Sequence, residues 1–222
     1  MTCLGCYIIG ILGTITSICF YLAPAIPFYN ILKDKLNYHD FPLILLLISF
    51  LNCIFWTDYG LVNDYFILLY LSNAIGGSIT LSFMIIYLIL ITGLNLYLSL
   101  TIAILLSIII VFITCLFYYL IPVCVVKIFA IIFTILMYAS IGAKISQVIK
   151  TKNYKLIPIF STIGGIVNSF CWLIYGIFDK KWEFYVANGI GLIFVIFFIC
   201  LIYYLKRKFK PIDLSEKLDQ FE

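Results

Sequence analysis

The sequence predicts an all-α integral membrane protein of seven transmembrane helices, arranged as two parallel three-helix repeats joined by a linker helix. Three observations lead to this fold class. Hydrophobic residues make up 65% of the 222 residues, charged residues only 11%, and the mean hydropathy is +1.19. Seven apolar stretches are each long enough to cross a bilayer. A short motif also occurs twice, which indicates an internal duplication.

The apolar stretches cover roughly residues 7–31, 41–60, 65–91, 98–120, 125–149, 157–178 and 183–205. A helix crosses the hydrocarbon core with about 20 residues, and it satisfies its backbone hydrogen bonds within the segment. Only a few residues connect successive stretches, so we expect no soluble domain.

The duplication is visible in residues 51–61, LNCIFWTDYGL, which return as residues 167–177, VNSFCWLIYGI. The shared Asn, Trp, Tyr and Gly lie 116 residues apart, as do Pro42 and Pro158. Residues 33–35 (KDK) match residues 150–152 (KTK) at an offset of 117, and residues 73–76 (NAIG) match residues 188–191 (NGIG) at an offset of 115. The similarity therefore extends to the preceding and following stretches. We therefore predict a first repeat over residues 1–97, linker helix 98–121, a second repeat over residues 122–206 and a tail from 207 to 222.

Four crossings, an even number, separate the start of the first repeat from the start of the second. The first and fifth helices must then cross the membrane in the same direction, so the repeats are parallel. Two parallel copies related by an axis along the membrane normal enclose a shared cavity at their interface.

The basic residues predict the orientation. With the amino terminus outside, 11 of the 14 Lys and Arg residues lie on the cytoplasmic side, as the positive-inside rule requires. The first stretch contains no Lys or Arg, so we interpret it as a retained span and not as a cleaved signal peptide. Basic residues on one face indicate topology and contact with membrane lipid, not nucleic-acid binding.

Eight cysteines and one histidine do not form a metal-site pattern. Five of the cysteines fall inside apolar stretches, where free thiols behave as small hydrophobic groups, and His39 is in a loop. We expect no metal and no cofactor. The membrane segments also lack a nucleophile–base pair or a phosphate loop, so we do not expect an enzyme.

Four asparagines lie at membrane depth, where an amide without a partner costs free energy. Asn52 and Asn168 lie midway along the second and sixth stretches, and Asn73 and Asn188 about two turns into the third and seventh. Such residues often join helices by hydrogen bonds. The duplication favours a second interpretation, in which paired amides face one axis and bind a neutral polyhydroxyl solute.

Trp56 and Trp172 each follow an asparagine by four residues and share its helical face. An interfacial aromatic belt is the alternative, since Tyr59 and Tyr175 lie one turn further on. We favour a pocket, because an indole on the same face as a buried amide points inward and can pack on the C–H surface of a sugar ring.

Several motifs together resemble one transporter family. They are NCxxWxxYG at residues 52–60, SNAIG at 72–76, MYAS at 137–140, VIKTK at 148–152, NxxxWxxYG at 168–176 and VANGIG at 186–191. The pattern is similar to the SWEET sugar transporters of the MtN3/saliva family from about residue 21 to 191. The resemblance implies a 3+1+3 helix bundle, facilitated diffusion of mono- or disaccharides by alternating access, and homo-oligomers.

The same resemblance implies site residues. Asn73 and Asn188 match the sugar-contacting asparagines, Trp56 and Trp172 match pocket positions, and Tyr59 matches an external gate. We add Asn52 and Asn168 to the substrate-binding candidates, and Tyr175 to the gate.

The family carries four hinge prolines near the cytoplasmic helix ends, and only Pro24 and Pro158 match them. Leu45 stands at the second position, with Pro42 three residues earlier, and Ile141 replaces the third, in the fifth helix. Proline removes a helical hydrogen bond and permits bending. We expect Pro27, Pro42 and Gly142 to supply the missing flexibility.

Energy coupling is predicted from the acidic residues, which lie at or beyond the helix ends or in the tail. No carboxylate or histidine is expected in the translocation path, which favours a uniporter of a small neutral sugar such as glucose. Two alternatives remain, an amino-acid carrier of the PQ-loop type and a non-transporting seven-helix receptor. The plasma membrane is the favoured location, with the Golgi or vacuolar membrane as alternatives.

Overall fold

The computed structural model describes residues 4–33, 41, 43–62, 67–92, 97–98, 101–102, 104–105, 116, 119–144, 148–150 and 159–208. Seven helices of eight residues or more lie within these ranges. They are α1 Leu4–Leu22, α2 Ala25–Leu32, α3 Leu43–Val62, α4 Ile67–Thr92, α5 Val123–Ser140, α6 Ile159–Phe178 and α7 Trp182–Lys208.

Helices α1 and α2 together form one membrane-spanning element of 29 residues, and the described part of the chain contains 6 such elements. They coincide with six of the seven predicted stretches. The predicted linker helix, residues 98–120, lies largely outside the described residues. The all-helical membrane fold is confirmed.

The order of the helices in space differs from their order in the chain. Within each repeat the third helix lies between the other two, since α4 packs on α1 and α3, and α7 packs on α5 and α6. The repeats meet where α1 packs on α6 and where α3 packs on α5. These contacts close the helices into a ring, so side chains from both repeats can reach a common centre.

Both repeats interrupt their first helix at the same place. In the first repeat α1 ends at Leu22 and α2 begins at Ala25, with Pro24 between them, as expected of a residue that cannot donate a helical hydrogen bond. In the second repeat α5 ends at Ser140 and a 3₁₀ turn covers Ile141–Lys144. The second repeat therefore has the interruption even though Ile141 stands in place of the expected proline.

The other proline candidates differ in what the structure describes. Pro27 is the third residue of α2, where a missing N–H does not break the helix. Pro42 and Pro158 lie outside the described residues.

We call the side of the bundle where α1, α4, α5 and α7 begin the amino-terminal face. A buried aromatic cluster fills this half, and a second cluster fills the opposite half, where it includes Phe20, Tyr138 and Phe198. The outer surface carries many exposed apolar side chains, such as Ile8 and Ile193. An apolar exterior is the surface that a bilayer requires.

Candidate functional site

A cavity of about 30 Å³ lies at the centre of the helix ring. Its lining includes all six predicted substrate-binding residues: Asn52, Asn73, Asn168, Asn188, Trp56 and Trp172. The structure thus brings the two sets of repeat residues together. A volume of this size holds about one or two water molecules, so a sugar can enter only after the helices move apart.

A tyrosine connects the two asparagines of the first repeat. The Asn52 amide donates to the Tyr21 hydroxyl at 3.2 Å, and this hydroxyl donates to the Asn73 carbonyl oxygen at 3.3 Å. The Asn73 amide in turn donates to the backbone carbonyl of Leu69 at 2.9 Å. Tyr21 thereby fixes the orientation of both amides.

The second repeat contains the same arrangement. The Asn168 amide donates to the Tyr138 hydroxyl at 3.1 Å, which donates to the Asn188 carbonyl oxygen at 3.4 Å. The Asn188 amide donates to the backbone carbonyl of Phe184 at 2.9 Å. Tyr138 follows Tyr21 by 117 residues, one of the offsets of the duplication.

A hydroxyl group from the second repeat ties together two side chains of the first. The Trp56 indole donates to the Thr134 hydroxyl at 2.7 Å, and this hydroxyl lies 2.8 Å from the Asn52 carbonyl oxygen. It lies at the same distance from the backbone carbonyl of Ala130, which competes for its single proton. Thr134 thus joins the two repeats at mid-depth.

The reciprocal contact uses a hydroxyl of the first repeat. The Trp172 indole donates to the Ser17 hydroxyl at 2.8 Å, which donates to the Asn168 carbonyl oxygen at 2.7 Å. Each indole is only 5% exposed. The tryptophans therefore face the interior of the bundle and not a lipid interface.

The four amides retain hydrogen-bonding capacity. Each amide nitrogen donates one of its two hydrogens to the partner described above, which leaves one N–H per asparagine for a solute. No carboxylate, amine or imidazole lines the described cavity. The site can therefore bind a neutral molecule with hydroxyl groups without burying a charge.

Two glycines leave room for the rings of Tyr21 and Tyr138, because they have no side chain at the point of contact. A Cβ atom on Gly76 would lie 2.3 Å from the Tyr21 ring, and one on Gly191 would lie 2.1 Å from the Tyr138 ring. Each glycine follows its asparagine by three residues and so lies on the same face. The repeated N-x-x-G motif thus supplies an amide for the tyrosine hydroxyl and a flat surface for its ring.

Aromatic side chains close the amino-terminal side of the cavity. Tyr59 and Tyr175 pack edge-on against Trp56 and Trp172, at centroid distances of 5.7 and 5.4 Å. The Tyr59 hydroxyl also donates to the Glu183 carboxylate, which joins α3 of the first repeat to α7 of the second. The two predicted gate tyrosines thus pack on tryptophans that line the cavity, and both also pack on the ring of Phe184, at 6.4 and 5.5 Å.

Two acidic residues at this face differ from the expectation that they lie clear of the bundle. Asp58 is 1% exposed and Glu183 is 3% exposed. The described residues provide no hydrogen-bond partner for either Asp58 carboxylate oxygen. Both residues lie near helix ends, and the packed bundle encloses their side chains.

The cysteines of the described residues are free thiols. Cys53 is buried as expected, but Cys19 and Cys200 lie on the exposed outer surface of their helices. Hydropathy identifies a membrane segment without showing which side faces lipid. No group of His, Cys, Asp and Glu within the described ranges could hold a metal ion.

Comparison with known proteins shows the family to which this chain belongs. Residues 7–93 and residues 124–210 each match the MtN3/slv family, described as a sugar efflux transporter for intercellular exchange. The chain belongs to this family. The two matches agree with the internal duplication, while the exact domain boundaries given above stay a prediction.

Individual SWEET proteins are similar along most of the chain. The chain is 28% identical over 218 residues to the bidirectional sugar transporter SWEET7b of Oryza sativa subsp. japonica, which covers 93% of the chain and 82% of the relative. It is 30% identical over 192 residues to SWEET5 of Arabidopsis thaliana, with coverages of 83% and 79%. Both relatives are named as transporters, in agreement with the prediction that this protein is not an enzyme.

A solved structure of a eukaryotic SWEET transporter has the same fold. It superposes with a TM-score of 0.69 at 26% identity and covers 91% of this chain and 97% of its own. The SWEET resemblance and the predicted 3+1+3 fold class are confirmed.

Sequence reasoning missed several residues that line the cavity of this SWEET-family protein. They are Ser17, Tyr21, Thr134, Tyr138 and Phe184. The offset of 117 pairs Tyr21 with Tyr138, and Ser17 with Thr134. Extending the repeat alignment into the first helices would have identified these four, whereas Phe184 has no aromatic counterpart.

The glycine contacts predict a large effect of small substitutions. Gly76→Ala and Gly191→Ala should each lower stability by about 1–3 kcal/mol, because the tyrosine ring must move to admit the methyl group. Thermal unfolding of the purified protein in detergent measures the change. Gly189→Ala is the matched control, since its Cβ would lie 3.5 Å from Leu173, an ordinary contact. Equal melting temperatures for Gly191→Ala and Gly189→Ala would contradict this packing.

The tyrosine bridges make a separate prediction. Tyr21→Phe and Tyr138→Phe keep the ring on its glycine but remove the hydroxyl that orients two amides. Each should raise the KM for a transported sugar by roughly three- to tenfold, and should also lower the melting temperature, because two buried amides lose a hydrogen-bond partner. A zero-trans uptake assay provides KM, and an unaltered value in the double variant would rule out this positioning role.

Proposed function

We propose that the protein is a facilitative sugar transporter, a uniporter that moves mono- or disaccharides across a membrane by alternating access. The observation that carries this proposal is the lining of the central cavity by twofold-related asparagines and tryptophans. The membership in a family of sugar transporters supports it.

The recognition step follows from the groups that line the cavity. The remaining amide N–H groups of the four asparagines donate to sugar hydroxyl oxygens, and the amide carbonyl oxygens have lone pairs that accept from sugar hydroxyl groups. Trp56 and Trp172 offer apolar ring faces to the C–H surface of a pyranose. Glucose is the substrate we propose first, because two indoles leave little width for a larger sugar.

Alternating access requires two gates. At the amino-terminal face the Tyr59–Glu183 hydrogen bond and the packing of Tyr175 close the path, and this contact must break when the repeats separate there. At the opposite face the helix interruptions at Pro24 and at Ile141–Lys144 lie at equivalent places in the two repeats. We assign the inner hinge to these interruptions, together with Pro27, Pro42 and Pro158.

Transport does not require an ion gradient in this proposal. Proton-driven carriers use a titratable group in the translocation path, and the described lining of the cavity contains no carboxylate or histidine. The buried carboxyl group of Glu183 belongs to the gate. The substrate therefore moves down its own gradient, in either direction.

The environment of the protein completes the proposal. The positive-inside bias places the amino-terminal face outside and the tail in the cytoplasm, in the plasma membrane or else in a Golgi or vacuolar membrane. We expect the basic side chains at the cytoplasmic end of α7, such as the exposed Arg207, to contact lipid headgroups. We also expect a homo-oligomer, as the family resemblance implies.

The alternatives fit the cavity less well. A zwitterionic amino acid would place two charges beside neutral amides, and the described lining provides no charged partner for either of them. A receptor has no need for a binding site shared equally by two parallel repeats.

A counterflow experiment tests the function. Proteoliposomes loaded with unlabelled glucose should accumulate labelled glucose transiently. Asn73→Ala and Asn188→Ala should each reduce the initial rate at least about tenfold, because sugar hydroxyl groups lose their buried partners. Ser78→Ala is the control, since Ser78 lies on the exposed side of the same helix as Asn73.

Each outcome of this assay is informative. Counterflow of an amino acid in place of a sugar would favour the PQ-loop alternative, and no counterflow of any solute would favour a receptor. Glucose accumulation that depends on an imposed proton gradient would contradict uniport.

The hinge assignment predicts the behaviour of two proline variants. Pro24→Ala and Pro158→Ala should each slow zero-trans glucose uptake several-fold, because alanine can donate a helical hydrogen bond and so stiffen the hinge that we assign to each of these positions. The binding affinity measured by glucose-dependent fluorescence should change little. Uptake at the parental rate in both variants would exclude bending at these residues as the mechanism.

A further inference from the structure

Phe184 breaks the symmetry of the two repeats beside the cavity. Its backbone carbonyl accepts the hydrogen bond of Asn188 at 2.9 Å, and the backbone carbonyl of Leu69 accepts that of Asn73 at the same distance. The two positions thus have the same backbone role, one turn before the asparagine. They differ only in the side chain, a ring in one repeat and an aliphatic group in the other.

The ring of Phe184 packs against both tryptophans. Its centroid lies 4.9 Å from that of Trp56 with planes 20° apart, and 6.1 Å from that of Trp172 with planes 22° apart. The two indoles come from opposite repeats, so one side chain joins the aromatic surfaces of both. Phe184 is 2% exposed.

The asymmetry has a steric reason. Phe184 and Leu69 both line the same small cavity. A second ring at the position of Leu69 would have to share this small space with the ring of Phe184. Only one repeat can therefore supply an aromatic ring that reaches both indoles.

The indole faces that Phe184 covers are those that a sugar ring would use. A cavity of about 30 Å³ does not admit a hexose while the ring is in place. We propose that Phe184 is a specificity-determining residue, which competes with the sugar ring for the faces of Trp56 and Trp172. This inference rests on the proposed sugar transport.

Competition of this kind affects both affinity and size selection. Sugar binds only in the fraction of molecules in which the Phe184 ring has separated from at least one indole, and the apparent affinity falls by that fraction. A disaccharide requires a wider separation than a hexose. A smaller side chain at this position should therefore strengthen sugar binding and favour larger sugars.

The substitution Phe184→Leu gives this position the side chain of Leu69 and tests the proposal. The KM for equilibrium exchange of glucose in proteoliposomes should fall about three- to tenfold, the equivalent of losing one aromatic ring pair. The ratio of sucrose to glucose exchange rates should rise. A lower KM cannot result from partial unfolding, which can only remove active protein.

Matched variants make the result decisive. Phe198→Leu changes the same residue type on the same helix, but Phe198 packs on Phe194 in the cluster of the opposite half, so KM should stay within about twofold of the parental value. If Phe184→Leu does not yield folded protein, Phe184→Met, which also removes the ring, should lower KM in the same direction.

Two results would overturn the inference. An unchanged or higher KM in the folded Phe184 variant would show that the ring does not compete with the sugar. A failure of the parental protein to exchange glucose or sucrose would contradict the proposed function itself, and this inference with it.

Discussion

The structure depends on the need of every buried amide to find a hydrogen-bond partner inside a bilayer. An unsatisfied amide in hydrocarbon costs several kcal/mol, which is about the free energy that a few helix contacts supply. This chain places four asparagines at mid-depth and satisfies each of them with hydroxyl groups of other helices. The partners are divided between the repeats, since Ser17 and Thr134 each bond to the opposite half. The same bonds that satisfy the amides therefore hold the two repeats together around the cavity.

The interior of the bundle is symmetric, and its amino-terminal face is not. The tyrosine bridges, the glycine surfaces and the indole–hydroxyl contacts occur in both repeats. Towards the amino-terminal face, Asp58, Glu183 and Phe184 have the aliphatic counterparts Ile174, Leu68 and Leu69. A solute on a twofold axis is best recognised by paired groups, whereas a closed gate needs complementary partners, such as a carboxylate for a tyrosine hydroxyl. The departure from symmetry thus begins at Phe184, which lines the cavity, and continues into the gate at Glu183.

Much of this architecture could be predicted from the sequence. Hydropathy and the repeated residues were sufficient for the helical class, the parallel repeats and the central position of Asn73, Asn188, Trp56 and Trp172. The amide-to-tyrosine bridges were not predicted, because each tyrosine and its asparagines lie on different helices, and only the packing on Gly76 and Gly191 brings them together. The interruption at Ile141 was expected only as flexibility at the neighbouring Gly142. A 3₁₀ turn there is a property of the packed repeat and has no proline to signal it.

Burial of charged side chains at the helix ends was equally difficult to predict. Asp58 and Glu183 lie near the ends of their apolar stretches and so look external, but both side chains are buried in the packed bundle. A one-dimensional pattern shows where a segment leaves the hydrocarbon, whereas burial depends on the lengths of the helices around it.

An experimental structure of the purified protein with bound glucose would test the central claim most directly. We predict density for the sugar in the central cavity, within hydrogen-bonding distance of Asn73 and Asn188 and in contact with at least one of the two inward-facing indoles. Density for the sugar at another site, with these asparagines still bonded only to Tyr21 and Tyr138, would contradict the account.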